Sequence, residues 1–314
     1  MSATGLPDTA FSRGSGVIIA RLIADQASIG SELETRLERA SDALAKAGTP
    51  VALAGMLDFS GDVLQISLAE GQPVAVADIL TDHFGGCDLL VADHEIEMPR
   101  LFVSDMDSTM IGQECIDELA DFAGLKEQVS AITERAMRGE IDFHSALAER
   151  VALLEGLEES AIERCLAERI APVAGARTLV ATLRSKGCRS VLVTGGFHHF
   201  ADSVAEMIGF ERVVGNRLAV ADGKLTGALD GAISDSATKR RVLEEELALL
   251  GEGARVLASG DGANDIPMLE AADYGFAYRA KPKARAAANG RIESEDLTAI
   301  LKLLGIPQSE WVEG

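Results

Sequence analysis

Three short stretches of the chain concentrate the groups that could do chemistry. The apolar run Leu101-Phe102-Val103 leads to Asp105-Met106-Asp107-Ser108-Thr109, SVLV (190–193) ends in Thr194-Gly195-Gly196, and RVLAS (255–259) ends in GDGAND (260–265). Charged carboxylates seldom sit at the end of a buried strand without a partner. With the backbone still extended, Asp105 and Asp107 project to the same side. Two close carboxylates repel, and one of them holds a proton unless a cation intervenes. Asp261 supplies a further hard oxygen, and a few carboxylates plus water and substrate oxygens is how Mg2+ is usually held. Asp265, close to a helix start, suits a helix cap as well as a metal site. Thr194-Gly195-Gly196 precedes a helix, where a hydroxyl and N–H groups suit a phosphate; the same residues also make an ordinary tight turn. Lys239 begins another helix, where a cation opposes the helix dipole; it reads either as the partner of an anion or as a solvated lysine.

Such groups work only if strands and helices hold them together. The segments GVIIARLIA (16–24), VALAGMLDF (51–59), DVLQISLAE (62–70) and CDLLVAD (87–93) read as strands, the middle two joined by a turn at Ser60-Gly61. SELETRLERASDALAKAG (31–48) reads as a helix, with Ser31 as N-cap and Gly48 as its stop, and PVAVADILTDHFG (73–85) as another. The order β-α-β-β-α-β is that of a small α+β ferredoxin-like sandwich, shared in topology with ACT-type domains. A boundary falls in the polar HEIEMPR (94–100). Residues 113–170 are dense in Glu, Ala, Leu and Arg and read as an inserted set of short helices. From 175 on, helices and strands alternate through YGFAY (274–278), and RLAVADGKLTGAL (217–229) forms a hairpin turning at Asp222-Gly223. That alternation implies a doubly wound α/β parallel sheet, whose ligands bind beyond the C-terminal ends of the strands. All three polar stretches would gather there.

The 314 residues suggest two domains, expected at 1–95 and 96–314, with the helical insertion at about 112–172. The net charge of −21 sets the chain against nucleic acid and anionic membrane. Cys87, Cys115, Cys165 and Cys188 form no C-x-x-C pair, so they read as free thiols in the core. No leader pattern and no span-length apolar run is visible, which points to a cytoplasmic protein. His198 and His199 read as structural or solvent-facing.

At this point the motifs carry a resemblance. Asp105-Met106-Asp107-Ser108-Thr109 is similar to the D-x-D-x-T signature of the haloacid dehalogenase superfamily, and Thr194, Lys239 and GDGAND follow in that superfamily's order. DMDSTMIGQECIDELA (105–120), MRGEIDFHSALAERVALL (137–154), VTGGF (193–197) and NRLAVADGKLTG (216–227) most resemble its phosphoserine phosphatase family. The resemblance covers about residues 100–290. It implies that Asp105 attacks phosphorus to form an aspartyl-phosphate and that Asp107 is the general acid and then the base. It implies Mg2+ held by Asp105, Asp261 and the main-chain carbonyl of Asp107, with Asp265 in support. Ser108, Thr194, Gly195, Lys239 and Asn264 would bind the phosphoryl group. The helical insertion would be a cap closing over O-phosphoserine, with Glu114 on the ammonium, Arg150 on the carboxylate, and Met137 and Phe143 lining its pocket. The implied reaction is the last step of serine biosynthesis; a homodimer is left open. Two rivals stand beside it: a relative passing the phosphoryl group to homoserine, and a serine-sensing regulatory protein. Ion-pumping relatives carry Thr where Asp107 stands, so Asp107 favours hydrolysis.

Overall fold

The computed structural model describes residues 17–24, 32–57, 60–294 and 296–314; the side chains of Ser60 and Met137 lie outside the described set. The strands are β1 (Ile18–Ile23), β2 (Val51–Leu57), β3 (Ser60–Leu68), β4 (Leu89–Ala92), β5 (Leu101–Ser104), β6 (Arg189–Phe197), β7 (Arg212–Asn216), β8 (Leu218–Ala221), β9 (Lys224–Leu229), β10 (Val256–Gly260), β11 (Tyr274–Tyr278) and β12 (Gly290–Ile292). The first helices are α1 (Leu33–Lys46) and α2 (Pro73–Phe84). Four short ones follow in the insertion: α3 (Cys115–Phe122), α4 (Lys126–Met137), α5 (Phe143–Ala152) and α6 (Ser160–Arg169). The rest are α7 (Ala176–Ser185), α8 (His198–Ile208), α9 (Ser236–Leu250), α10 (Ile266–Ala271), α11 (Pro282–Ala287) and α12 (Ala299–Leu304).

Among the described residues, ten strands form one sheet in the order β2-β3-β1-β4-β12-β11-β10-β5-β6-β7. The six strands from β12 to β7 run parallel. A parallel sheet needs both faces covered, and the central strands supply mostly apolar residues to both. In β5, Leu101 and Val103 face one way, packing with Val191, Val256 and the helical Val242, Leu243 and Met268. Phe102 faces the other, against Leu192, Leu257, Leu179 of α7 and Phe200 of α8. The two-residue period thus sandwiches β5 between α9/α10 and α7/α8.

The N-terminal part has the antiparallel order β2-β3-β1-β4, with α1 and α2 packed on one face through Leu44, Val76, Leu80 and Phe84. It joins the parallel strands by an antiparallel pairing of β4 with β12, Leu90 opposite Gly290 and Leu89 opposite Arg291. Arg291 is buried, and its guanidinium reaches Asp78 and Thr81 of α2. The Asp88 carboxylate accepts the N–H groups of Glu293 and Ser294, doubling the join.

Several local expectations change. Ser60 and Gly61 already belong to β3 rather than to a turn, and residues 58–59 lie outside the described residues. Ser31 lies outside them too; α1 starts after Glu32 with no side-chain cap. Asp107 is not on extended backbone. The N–H groups of Thr109, Met110 and Ile111 all fold back to the carbonyl of Met106, and Ser108 takes a positive φ of 55°. The three elements after Tyr278, α11, β12 and α12, are absent from the sequence reading. No helix of the described residues is long and apolar enough to cross a membrane.

Candidate active site

The strand order puts β10, β5 and β6 side by side, so Asp261, Asp105 and Thr194 leave neighbouring C-terminal edges in the middle of the sheet. The ladder is carried one residue past β5: the N–H of Asp105 donates to Ser259 O at 2.9 Å. Behind it the buried hydroxyls of Ser104 and Ser259 meet at 2.8 Å, which ties the two strand ends together. Asp105 is 4% exposed. Its Oδ1 accepts the N–H of Met106 at 2.8 Å and lies 2.7 Å from Lys239 Nζ.

Lys239 comes from the first turn of α9, started by Asp235, whose carboxylate accepts the N–H of Thr238. The lysine is 1% exposed and also lies 2.6 Å from Asp265 Oδ1. Burial alone would lower its pKa; the charges of Asp105 and Asp265 outweigh that and hold the ammonium above the usual lysine range. Asp265 turns its other oxygen to the N–H groups of Asp261 (3.1 Å) and Gly262 (2.9 Å), so it fixes the loop that carries Asp261. A Cβ on Gly260 would sit 2.4 Å from Asp265 Cγ, so only glycine fits beneath that carboxylate.

Oxygens of Asp105, Asp261 and Asp265 come within 4.8 Å of one another, all buried. Burial raises the pKa of Asp105 well above the carboxylate range; Asp265 adds to this and Lys239 opposes it. Asp261 is raised as well, first by burial, with Lys281 opposing. Three buried carboxylates whose oxygens converge are a hard donor set that a small dication suits, so the residues fit the expected Mg2+. The third carboxylate of the cluster is that of Asp265; the share expected of Asp107 was its main-chain carbonyl.

Asp107 is half-buried beside them. Its Oδ1 accepts the N–H of Cys115 at the start of α3, at 3.3 Å. Burial, then the charge of Glu114, pushes this carboxyl up to about 7. Its Oδ2 lies over Gly196, where a Cβ would approach it to 2.9 Å and the Thr194 hydroxyl to 3.1 Å. The Thr194 Oγ1 accepts the N–H of Gly196 at 2.8 Å. Ser108 Oγ donates to Glu114 Oε1 at 2.8 Å.

These groups surround a cavity of about 220 Å3. Asp105, Asp107, Thr194, Gly195, Asp261 and Asn264 form its floor; Glu114, Phe143 and Arg150 come from the inserted helices. Phe143, 43% exposed, reaches over Gly195. His144 beside it lies 3.3 Å from Asp235, a contact between insertion and α9. Burial lowers the pKa of the Arg150 guanidinium, and the charges of Asp117 and Glu114 oppose this. Lys239 and Asp265 stand behind the floor rather than on the wall. Met137 ends α4, with its side chain outside the described residues. His198 pairs with Asp202 on its own helix, away from the cavity.

The sequence reading missed two residues as site members. Lys281 is on the wall, with Nζ 3.3 Å from Asp261 Oδ2. Its signal, a lysine in AKPKAR (280–285) just past a strand, reads as solvated charge. Asn216, buried at the end of β7, donates to Gly195 O and accepts the N–H of Ser234. An amide at a strand end beside the T-G-G strand was its only signal.

The chain matches the model of the haloacid dehalogenase-like hydrolases over residues 102–270. It is 44% identical over 209 residues to a phosphoserine phosphatase of Archaeoglobus fulgidus, covering 66% of this chain and 60% of that protein's length. It is 45% identical over 210 residues to a phosphoserine phosphatase of Albidiferax ferrireducens, covering 65% of this chain and 89% of the relative. A solved phosphoserine phosphatase with an analogue of the phospho-aspartyl intermediate is 37% identical, with a TM-score of 0.59, covering 66% of this chain and 99% of that one.

Proposed function

The chain belongs to the haloacid dehalogenase-like hydrolase family, and from that premise we propose that it hydrolyses O-phospho-L-serine to serine and phosphate, with Mg2+, through an aspartyl-phosphate on Asp105. One observation carries the reading furthest: Asp107, a carboxyl pushed up to about 7, faces the same cavity as the buried Asp105. A group with that pKa can give a proton and take one back near neutral pH.

The chain's own residues divide the work. Asp105 Oδ1 is held by Lys239 and the Met106 N–H, which leaves Oδ2 to attack. As the new Oδ2–P bond forms, the bond from phosphorus to the serine oxygen breaks, and Asp107 gives that oxygen its proton. Asp107, now ionised, takes a proton from water, whose oxygen attacks phosphorus and releases Asp105. Mg2+, held by Asp105, Asp261 and the Asp107 carbonyl, would neutralise charge on the phosphoryl oxygens. Lys239, Thr194, Ser108, Asn264 and the Gly195 N–H share the rest of that charge. Glu114 meets the ammonium of the substrate and Arg150 its carboxylate, while Phe143 covers the carbon chain and excludes water. The product makes this the closing step of serine biosynthesis. On this reading the phosphatase unit is 96–314, and the insertion at 112–172 is its cap.

The test is a panel of phosphomonoesters assayed with Mg2+ and with EDTA. Phosphoserine should be preferred, and EDTA should stop its turnover. Asp105→Asn should abolish it; substantial residual hydrolysis would remove Asp105 as nucleophile.

A further inference from the structure

Two lysines touch the carboxylate cluster, and their surroundings differ. Lys239 is 1% exposed and clamped between Asp105 and Asp265. The Lys281 side chain is 66% exposed, and its Nζ lies 3.3 Å from Asp261 Oδ2. The backbone aims it there. Arg279, one residue past β11, takes a positive φ of 42°, a conformation that residues with a Cβ disfavour. Its N–H donates to Ile292 O at 2.7 Å, which anchors the turn on the strand next door. The N–H of Lys281 then donates to the carbonyl of Asp261 at 2.9 Å, and Pro282 starts α11 directly after it. Main chain and side chain of Lys281 therefore both address Asp261. Backbone strain held in place this way tends to accompany function.

We propose that Lys281 is the resident counter-cation of Asp261 when the site holds no metal, and that a divalent cation binds by displacing it. The inference rests on the metal reading above. With all three carboxylates ionised, the cluster and its two lysines carry one negative charge. A dication added with both lysines in place makes the centre net positive; moving Lys281 out returns it to neutral. Lys239 cannot leave, because Asp105 and Asp265 would remain buried and uncompensated. Lys281 can, because its ammonium is on the solvent side and its stem has room to swing. It acts as a positioning residue that keeps Asp261 in place and sets how tightly metal is held.

The experiment is calorimetric titration of metal-stripped protein with MgCl2, comparing wild type with Lys281→Ala, Lys281→Gln and Lys281→Arg, each checked for folding by thermal melt. Removing a cation next to a dication site should tighten Mg2+ binding roughly three- to tenfold in the Ala and Gln variants. Lys281→Arg keeps the charge and should not tighten it. Unchanged or weaker affinity in both neutral variants overturns the proposal, as does an Arg variant as tight as the Ala one. If wild type binds no Mg2+, the metal reading itself fails, and this inference with it.

Discussion

The Asn216 side-chain amide lies 2.7 Å from the carbonyl of Gly195, and its oxygen accepts the N–H of Ser234 at 2.8 Å. One buried side chain therefore ties the loop after β6 to the segment that starts α9, the helix that delivers Lys239. Asn216→Ala leaves the Gly195 carbonyl and the Ser234 N–H unpaired, which should cost about 1–3 kcal/mol of stability. It also frees two phosphate-facing elements to drift, and kcat should fall about 10- to 100-fold. Urea unfolding and steady-state rates read the two effects. Wild-type kcat in a destabilised variant would confine Asn216 to structure.

Lys239→Met strands two carboxylates that share one buried lysine. With metal removed, this variant should lose about 3–5 kcal/mol at pH 8, as broken buried pairs do. The loss should shrink as pH falls, because the buried Asp105, whose pKa is raised by burial, can then hold a proton. A deficit independent of pH would mean that Lys239 stabilises by packing alone.

Asp107 gives a pH signature. Its folded pKa is raised, to about 7, by burial first and Glu114 second. As the general acid it must carry a proton, so kcat/KM should fall above about pH 7, and Asp107→Asn should lose both that limb and most of the activity. Stability has a sign of its own. Between its unfolded pKa, about 4, and its folded pKa, the folded state binds more protons than the unfolded one. Metal-free wild type should therefore lose stability relative to Asp107→Asn as pH rises through that window. A wild type that gains stability relative to Asp107→Asn as pH rises through that window would reverse the assignment.

Arg150 separates recognition from chemistry. Arg150→Ala should cost about 100-fold in kcat/KM on phosphoserine and less than about tenfold on p-nitrophenyl phosphate, which lacks the carboxylate. Equal losses on both substrates would take Arg150 out of the specificity contact.

The centre of the site was legible because strand ends repeat one pattern: an apolar run, then Asp, Thr-Gly-Gly or Gly-Asp-Gly. Once the strands are parallel and adjacent, those signatures must meet. The departures come from backbone that the residue types do not announce. Ser108 takes its positive φ although serine has no special preference for it, so Asp107 leaves the strand direction sooner than the pattern suggests. β12 is only Gly290-Arg291-Ile292, too short for any period, and its central arginine reads as solvent-facing. Its burial depends on Asp78 and Thr81, more than two hundred residues earlier in the chain. Lys281 was missed for the same reason: a charge next to Pro282 looks solvated until the turn at Arg279 points it at Asp261.

The pairing of β4 with β12 bears on how the molecule melts. Stripping residues 17–92 away would break backbone hydrogen bonds to β12, bury Arg291 without Asp78, and orphan the N–H groups that Asp88 receives. The front segment and the catalytic strands should therefore unfold together, as one cooperative heat-absorption peak in scanning calorimetry. Two resolved peaks would show that the seam yields first.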